Sequence, residues 1–445
     1  MKKAQIKLSD HFTYGKLLRF TGPSMVMMIF TSIYGIVDGF FVSNFAGKTA
    51  FAAVNFIIPF LIIISTPGFM LGTGGSALVS KLMGEGQKEE AHRIFSLLVY
   101  TGIVFGIAIS AVSLVFLRQI ATLMGADGQL LEDCLIYGRI LVAATPAYIL
   151  QMLFQSFFVA AERPKLGLLV TVLCGVSNMV LDYLLVGVFH LGLVGAALAS
   201  VASQVVGGFV PLVYFFCPNS SLLRLGRSHY DGGALLKTAA NGSSELMSCV
   251  SMSLISMLYN IQLLGYAGEN GVAAYGAMMY VSMIFSALFL GFSTGSAPVV
   301  SFHFGAADHK EMRSLKEKSM IVIGVFSLVM VAAALLLADS LSRLFVGYDH
   351  ALMALTSHGM KIYALSFLFM GFAIFFSSFF TALNDGITSA VISFLRTVVF
   401  QVGAVLLLPL VWGIDGIWLS LIVAEVMASV VGLVFLITKQ KKYHY

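Results

Sequence analysis

Charge is what this chain has least of. Only 11% of its 445 residues are Asp, Glu, Lys or Arg, 59% are hydrophobic, and mean hydropathy is +0.94. A soluble domain carries about 25% charged residues, so that class is excluded. The four cysteines are too few and too scattered for a disulfide framework, and none has metal-site spacing. No His-Glu-Xaa-Xaa-His run, phosphate-binding glycine loop or Gly-Xaa-Gly-Asp pattern occurs. Those absences argue against a metalloprotease, an ATP-driven pump and an intramembrane aspartyl protease, so no enzyme is expected. No cleavable leader is visible either, because the first apolar segment starts late and is long enough to span.

What is there is apolar sequence in spanning lengths. Twelve segments stand out: 17–41, 52–80, 94–117, 135–160, 166–188, 193–216, 236–264, 271–302, 315–338, 359–382, 387–411 and 416–437. The expected fold is an all-α integral membrane protein of twelve transmembrane helices. Of the 26 Lys and Arg residues, 20 fall at the termini and in alternate loops, 5 in the intervening connections, and Arg396 inside a span. The positive-inside rule then puts both termini in the cytoplasm. The net charge of +5 is accounted for by topology, and no nucleic-acid partner is implied.

The two halves repeat at an offset of 221 residues. Ala46-Gly47 matches Ala267-Gly268, Thr73-Gly74 matches Thr294-Gly295, and Gly84 matches Gly305. Phe154, Ser156 and Phe158 match Phe375, Ser377 and Phe379; Gly192 and Gly195 match Gly413 and Gly416. One shared offset across six spans indicates duplication. An even number of spans per half makes the repeats parallel, as in transporters. The expected division is residues 1–217, a cytoplasmic linker 218–233, and 234–445.

Against the apolar background, polar residues inside spans stand out. Asn178 and Asp182 are four apart on the fifth span and share a helix face. A carboxylate at mid-span costs about 2.5–3.5 kcal/mol on insertion scales. It is retained either as an interhelical hydrogen-bond partner or as part of an ion or proton pathway. Asp182 lies eight residues before His190, roughly 12 Å into the bilayer from the outer side. Asp38, ten residues before Lys48, and Ser200, eight after Gly192, reach a similar depth. At the 221 offset Asp38 corresponds to Tyr259 and Asp182 to Gly403, so only the first half keeps the acids. Two carboxylates with neutral oxygens from Asn178 and Ser200 suit H⁺ or Na⁺ alike.

With these residues in view, the chain resembles the multidrug and toxic compound extrusion (MATE) family over essentially its whole length. The resemblance rests on Tyr34-Gly-Ile-Val-Asp38, Asn178-Met-Val-Leu-Asp182, Gly195-Ala-Ala-Leu-Ala-Ser200 and the Gly84-Glu-Gly86 turn. It implies two six-helix lobes around a central cavity, and export of organic, cationic compounds in exchange for H⁺ or Na⁺ by alternating access. It places Asp38, Asn178, Asp182 and Ser200 at a cation or proton site of the N-lobe, with Ser200 where threonine is common. Any Na⁺ would sit at Asp38, Asn178 and Asp182; no other metal and no cofactor is implied. Tyr34, Gln151 and Gln155 fall on substrate-cavity positions, with interhelical hydrogen bonds as their alternative use. Glu245 matches an acid of the seventh span, either a charge partner for a cationic substrate or half of a structural ion pair. The tenth span has no carboxylate, so a complete C-lobe acid site is not expected. Arg396 and Glu425 are expected to pair structurally. The expected partners are small organic molecules and the bilayer of the cell (cytoplasmic) membrane, with the chain acting as a monomer. The rival reading is a lipid or lipid-linked oligosaccharide flippase of the same broad superfamily, which needs cavity cations to hold pyrophosphate.

Overall fold

Inside a bilayer the backbone has no water to bond, so a spanning segment must satisfy its own polar groups as a helix. The computed structural model describes residues 5–347 and 349–445. Lys2 and Lys3 of the amino-terminal charge cluster, and the side chain of Lys48, lie outside the described residues. The described chain is helical almost throughout. In order it runs α1 (Tyr14–Phe41), α2 (Lys48–Gly84), α3 (Lys88–Leu123), α4 (Gly128–Ala143), α5 (Thr145–Ala160), α6 (Pro164–Leu181), α7 (Gly192–Phe216) and α8 (Gly232–Asn241). Then come α9 (Ser243–Gly305), α10 (His309–Val346), α11 (His350–Ala364), α12 (Phe367–Ala382), α13 (Gly386–Phe394), α14 (Val402–Leu407), α15 (Pro409–Trp412), α16 (Ile414–Thr438) and α17 (Gln440–Tyr443). Three π-helical turns, Val42–Ala46, Asp182–Val188 and Leu395–Gln401, continue α1, α6 and α13.

Among the described residues nine helices are long and apolar enough to cross a membrane, or eleven when each of two bent pairs counts as one. The bent pairs are α4 with α5, at 56°, and α11 with α12, at 49°. Proline at the start of α5 accounts for the first bend. The second has no proline, so the bend does not depend on that residue. The breaks fall at Ala144 and Leu365, again 221 residues apart.

Helix α9 is 63 residues long, about 95 Å if it were straight and some three bilayer thicknesses. It is not one straight rod: Gly268 adopts φ 60°, ψ −150° and breaks it. Gly47, the matching residue, has φ 97° where α1 gives way to α2. A side chain would strain either turn. Helices α2, α3 and α10 run past the apolar segments expected for them. Their polar ends, such as Lys88-Glu-Glu and His309-Lys-Glu, continue the helix beyond the hydrocarbon.

Loop aspartates start several helices by taking orphan N–H groups. Asp231 accepts from the Ala234 N–H, Asp308 from Glu311, and Asp385 from Thr388. Asp385 also accepts from Lys439 Nζ at 2.6 Å and Tyr443 OH at 2.8 Å. Burial pushes its carboxyl up, but these bonds more than reverse that and leave it below the usual range. The segment expected as a linker is docked on α3: Ser228 Oγ donates to the Arg93 carbonyl at 2.9 Å and Tyr100 OH to that of Gly226 at 2.9 Å.

The first and second halves meet on the side that carries both chain termini. A Cβ on Gly84 would lie 2.0 Å from the Phe302 carbonyl oxygen, and one on Gly305 2.0 Å from that of Lys81. Each contact is the other's image at the 221 offset. Ser301 Oγ donates to the Ala77 carbonyl at 2.5 Å nearby. Among the described residues, Ser32 with Met283 at 3.4 Å is the hydrogen bond between halves that lies farthest from this side.

Candidate functional site

Asp38 occupies the last turn of α1, just before the π-helical turn Val42–Ala46. Asn178 lies in the last turn of α6, and Asp182 opens the π-helical turn that follows it. Ser200 lies on α7. The structure brings all four together. The Asp38 carboxyl lies beside the Asp182 carboxyl, the Asn178 amide and the Ser200 hydroxyl. Asp182 is fully buried and Asn178 is 2% exposed, whereas Asp38 is half-buried at the edge of the group.

Two facing carboxylates offer only acceptors. Both Asp182 oxygens, Asp38 Oδ1 and Asn178 Oδ1 have no hydrogen-bond partner among the described residues. Buried acceptors without donors are costly, and unpaired buried charges more so. A shared proton or a small hard cation would supply what this arrangement lacks, since oxygen is the ligand such cations favour.

A fifth group belongs to the site. Tyr137 on α4 is 3% exposed and lies beside Ser200 and near both aspartates. Nothing in the sequence marks this tyrosine out among 16. Only the depth count that groups Asp38, Asp182 and Ser200, applied to the fourth span, would have reached it.

Tyr34 lies beside Gln151 and near Asp38. Gln151 and Gln155 are 3% and 8% exposed and line a small cavity with Thr171, Cys174 and Gly207. Gln151 Oε1 and Gln155 Nε2 have no partner among the described residues. Glu245, in the first turn of α9, is half-buried and close to Cys249, which lies next to Thr66. It is not part of the Asp38 group, and no ion pair holds it among the described residues.

The second half fills the corresponding place differently. Tyr259, at the position matching Asp38, bonds the Ser420 hydroxyl at 2.5 Å and stacks on Tyr275 at 4.9 Å. Arg396 and Glu425 pair as expected. The guanidinium Nε donates to the two carboxylate oxygens at 3.0 and 2.9 Å, and Nη2 donates to Oε1 at 2.6 Å.

The MatE family profile matches residues 23–184 and again 246–406. A curated relative, the multidrug export protein MepA of Staphylococcus haemolyticus, is 24% identical over 415 residues, covering 93% of this chain and 91% of its own. Among solved structures, an outward-facing multidrug resistance MATE family transporter of the MOP superfamily superposes with TM-score 0.92 at 22% identity, covering 97% of each chain. A MOP superfamily transporter from Pyrococcus furiosus, described as having a binding pocket of reverse polarity, superposes with TM-score 0.90 at 22% identity over 98% of each.

Proposed function

The chain belongs to the MatE family, and from that premise we propose that it is a secondary multidrug exporter that moves organic cations out of the cell in exchange for H⁺ or Na⁺. The observation that carries the reading is the Asp38–Asp182 pair with its unpartnered oxygens. In each cycle the pair takes up one kind of ion from outside and releases it inside. Asn178 and Ser200 complete the oxygen set, and Tyr137 orients Ser200. Counting each bent pair as one span and α9 as two, divided at Gly268, gives twelve spans in two lobes, 1–217 and 234–445, joined by 218–233. The lobes rock about that join so that the cleft opens to one side at a time. Substrate lies along Tyr34, Gln151 and Gln155, and Glu245 attracts its positive charge.

Ionised, the pair repels itself in a low dielectric; neutralised, it does not. That difference is what lets ion binding favour one arrangement of the lobe over another. The chain resides in the cell membrane with both termini cytoplasmic and acts as a monomer. The flippase reading is disfavoured by Arg396: its charge is engaged by Glu425, so it is not free to hold a pyrophosphate.

Efflux of a fluorescent cation from proteoliposomes, driven separately by proton and sodium gradients, tests the proposal. One of the two gradients should drive efflux, and Asp182→Asn should abolish it while leaving expression intact. Full ion-driven export by Asp182→Asn, or lipid scrambling with no dye transport, would falsify the reading.

A further inference from the structure

We propose that residues 5–13 are a latch that holds the two halves shut on the terminus-bearing side, with Glu311 as its catch and Glu162 as its anchor. This rests on the alternating-access reading above.

The segment precedes α1 and is not helical; within it the Asp10 N–H donates to the Lys7 carbonyl at 3.2 Å and the Lys7 N–H to the Asp10 carboxylate at 3.4 Å, while the Leu8 and Phe12 N–H groups find no partner in the segment itself. Buried N–H groups must be satisfied somewhere, and two glutamates do it, one from each half. Leu8 and Phe12 are fully buried. The Leu8 N–H donates to Glu162 Oε1 at 2.7 Å, and Gln5 Nε2 donates to the Glu162 carbonyl at 3.0 Å. Glu162 sits in the turn between α5 and α6, in the half to which the segment is already joined. These bonds fix where the segment lies.

A second set of contacts crosses to the other half. The Phe12 N–H donates to Glu311 Oε1 at 2.8 Å, and His11 Nδ1 lies 2.5 Å from Glu311 Oε2. Lys318 Nζ donates to the Phe12 carbonyl at 2.5 Å. The Phe12 ring packs edge-on against His303 at 6.4 Å and shares a core with Met312 and Leu315. Glu311, in the first turn of α10, is 6% exposed. If the halves part on this side, the Glu311, Lys318 and His303 contacts must break together, whereas the Glu162 contacts need not. The segment therefore opposes opening on this side and has no corresponding contact to oppose opening on the other.

Spin labels on Glu89→Cys and Lys310→Cys, exposed and matched across the two halves, report the separation in a full-length chain whose four native cysteines are replaced. Reconstituted protein is measured with and without a cationic dye, at several pH and sodium values. Glu311→Ala and deletion of residues 2–12 should each raise the ratio of open to closed molecules on this side by about tenfold or more, in keeping with loss of charge-assisted bonds. Glu162→Ala should shift it the same way by less. Should the deletion compromise folding, Glu311→Ala alone decides, because it leaves the segment in place. Unchanged separations in a Glu311→Ala protein that still transports overturn the latch. A parent protein that holds one separation under every condition overturns the alternating-access reading instead.

Discussion

Glu425 is 1% exposed and binds Arg396 through both carboxylate oxygens. In such a place the pair's own attraction roughly offsets what it costs to take two charges out of water. Losing one partner is different, because it leaves an uncompensated charge. Glu425→Ala should therefore destabilise the protein by about 3–5 kcal/mol, whereas the double change Arg396→Met with Glu425→Leu should cost far less. Thermal unfolding in detergent checks both, and equal losses in single and double variants would refute the account. The same logic separates this pair from Asp38 and Asp182. Glu425 has its countercharge built in; the aspartates face each other without one, and the proposed coupling ion fills that role. Part of this contrast was legible beforehand. Asn178 and Asp182 announce themselves because an amide and an acid one turn apart interrupt an apolar run. Tyr137 does not, since an aromatic residue in an apolar run is also what ordinary packing produces.

At the level of elements, all three of the site's acid and amide groups stand where an α-helix widens into a π-helical turn: Asp38 one turn before Val42–Ala46, Asn178 one turn before Asp182–Val188, and Asp182 at the start of the latter. Such turns are rare and gather at functional sites, and no residue pattern announced them. The spans themselves were legible, because spanning length and apolarity are written directly in composition. The bend at Leu365 was not, having no proline to mark it. The glycine crossing of α2 and α9 supplies an element-scale test. A Cβ at Gly84 or Gly305 would meet a carbonyl oxygen at 2.0 Å, so the helices must move apart. Forced overpacking costs about 1–3 kcal/mol. Gly84→Ala and Gly305→Ala should each lower the unfolding midpoint, and by similar amounts because the two contacts mirror one another. A large loss in one and none in the other would show that the two crossings are not equivalent.

For the whole molecule, the open question with the simplest answer is which way it sits. The 20-to-5 split of Lys and Arg argues for cytoplasmic termini, since basic residues near short loops resist translocation. Several of those residues lie beside the interface between halves, on the side where Gly84 meets Phe302 and the amino-terminal segment reaches Glu311. If they face the cytoplasm, this structure is closed to the cytoplasm, and the cleft between the lobes opens outward. A native residue reports on this. Cys217, which ends α7 on that same side, is exposed, whereas Cys134 and Cys174 are buried and Cys249 is half-buried within α9. A membrane-impermeant maleimide should leave Cys217 unmodified in intact cells and label it once the membrane is opened. Cys217→Ser should remove that label. Modification in intact cells would invert the orientation, and with it the side from which Asp38 and Asp182 take their ion.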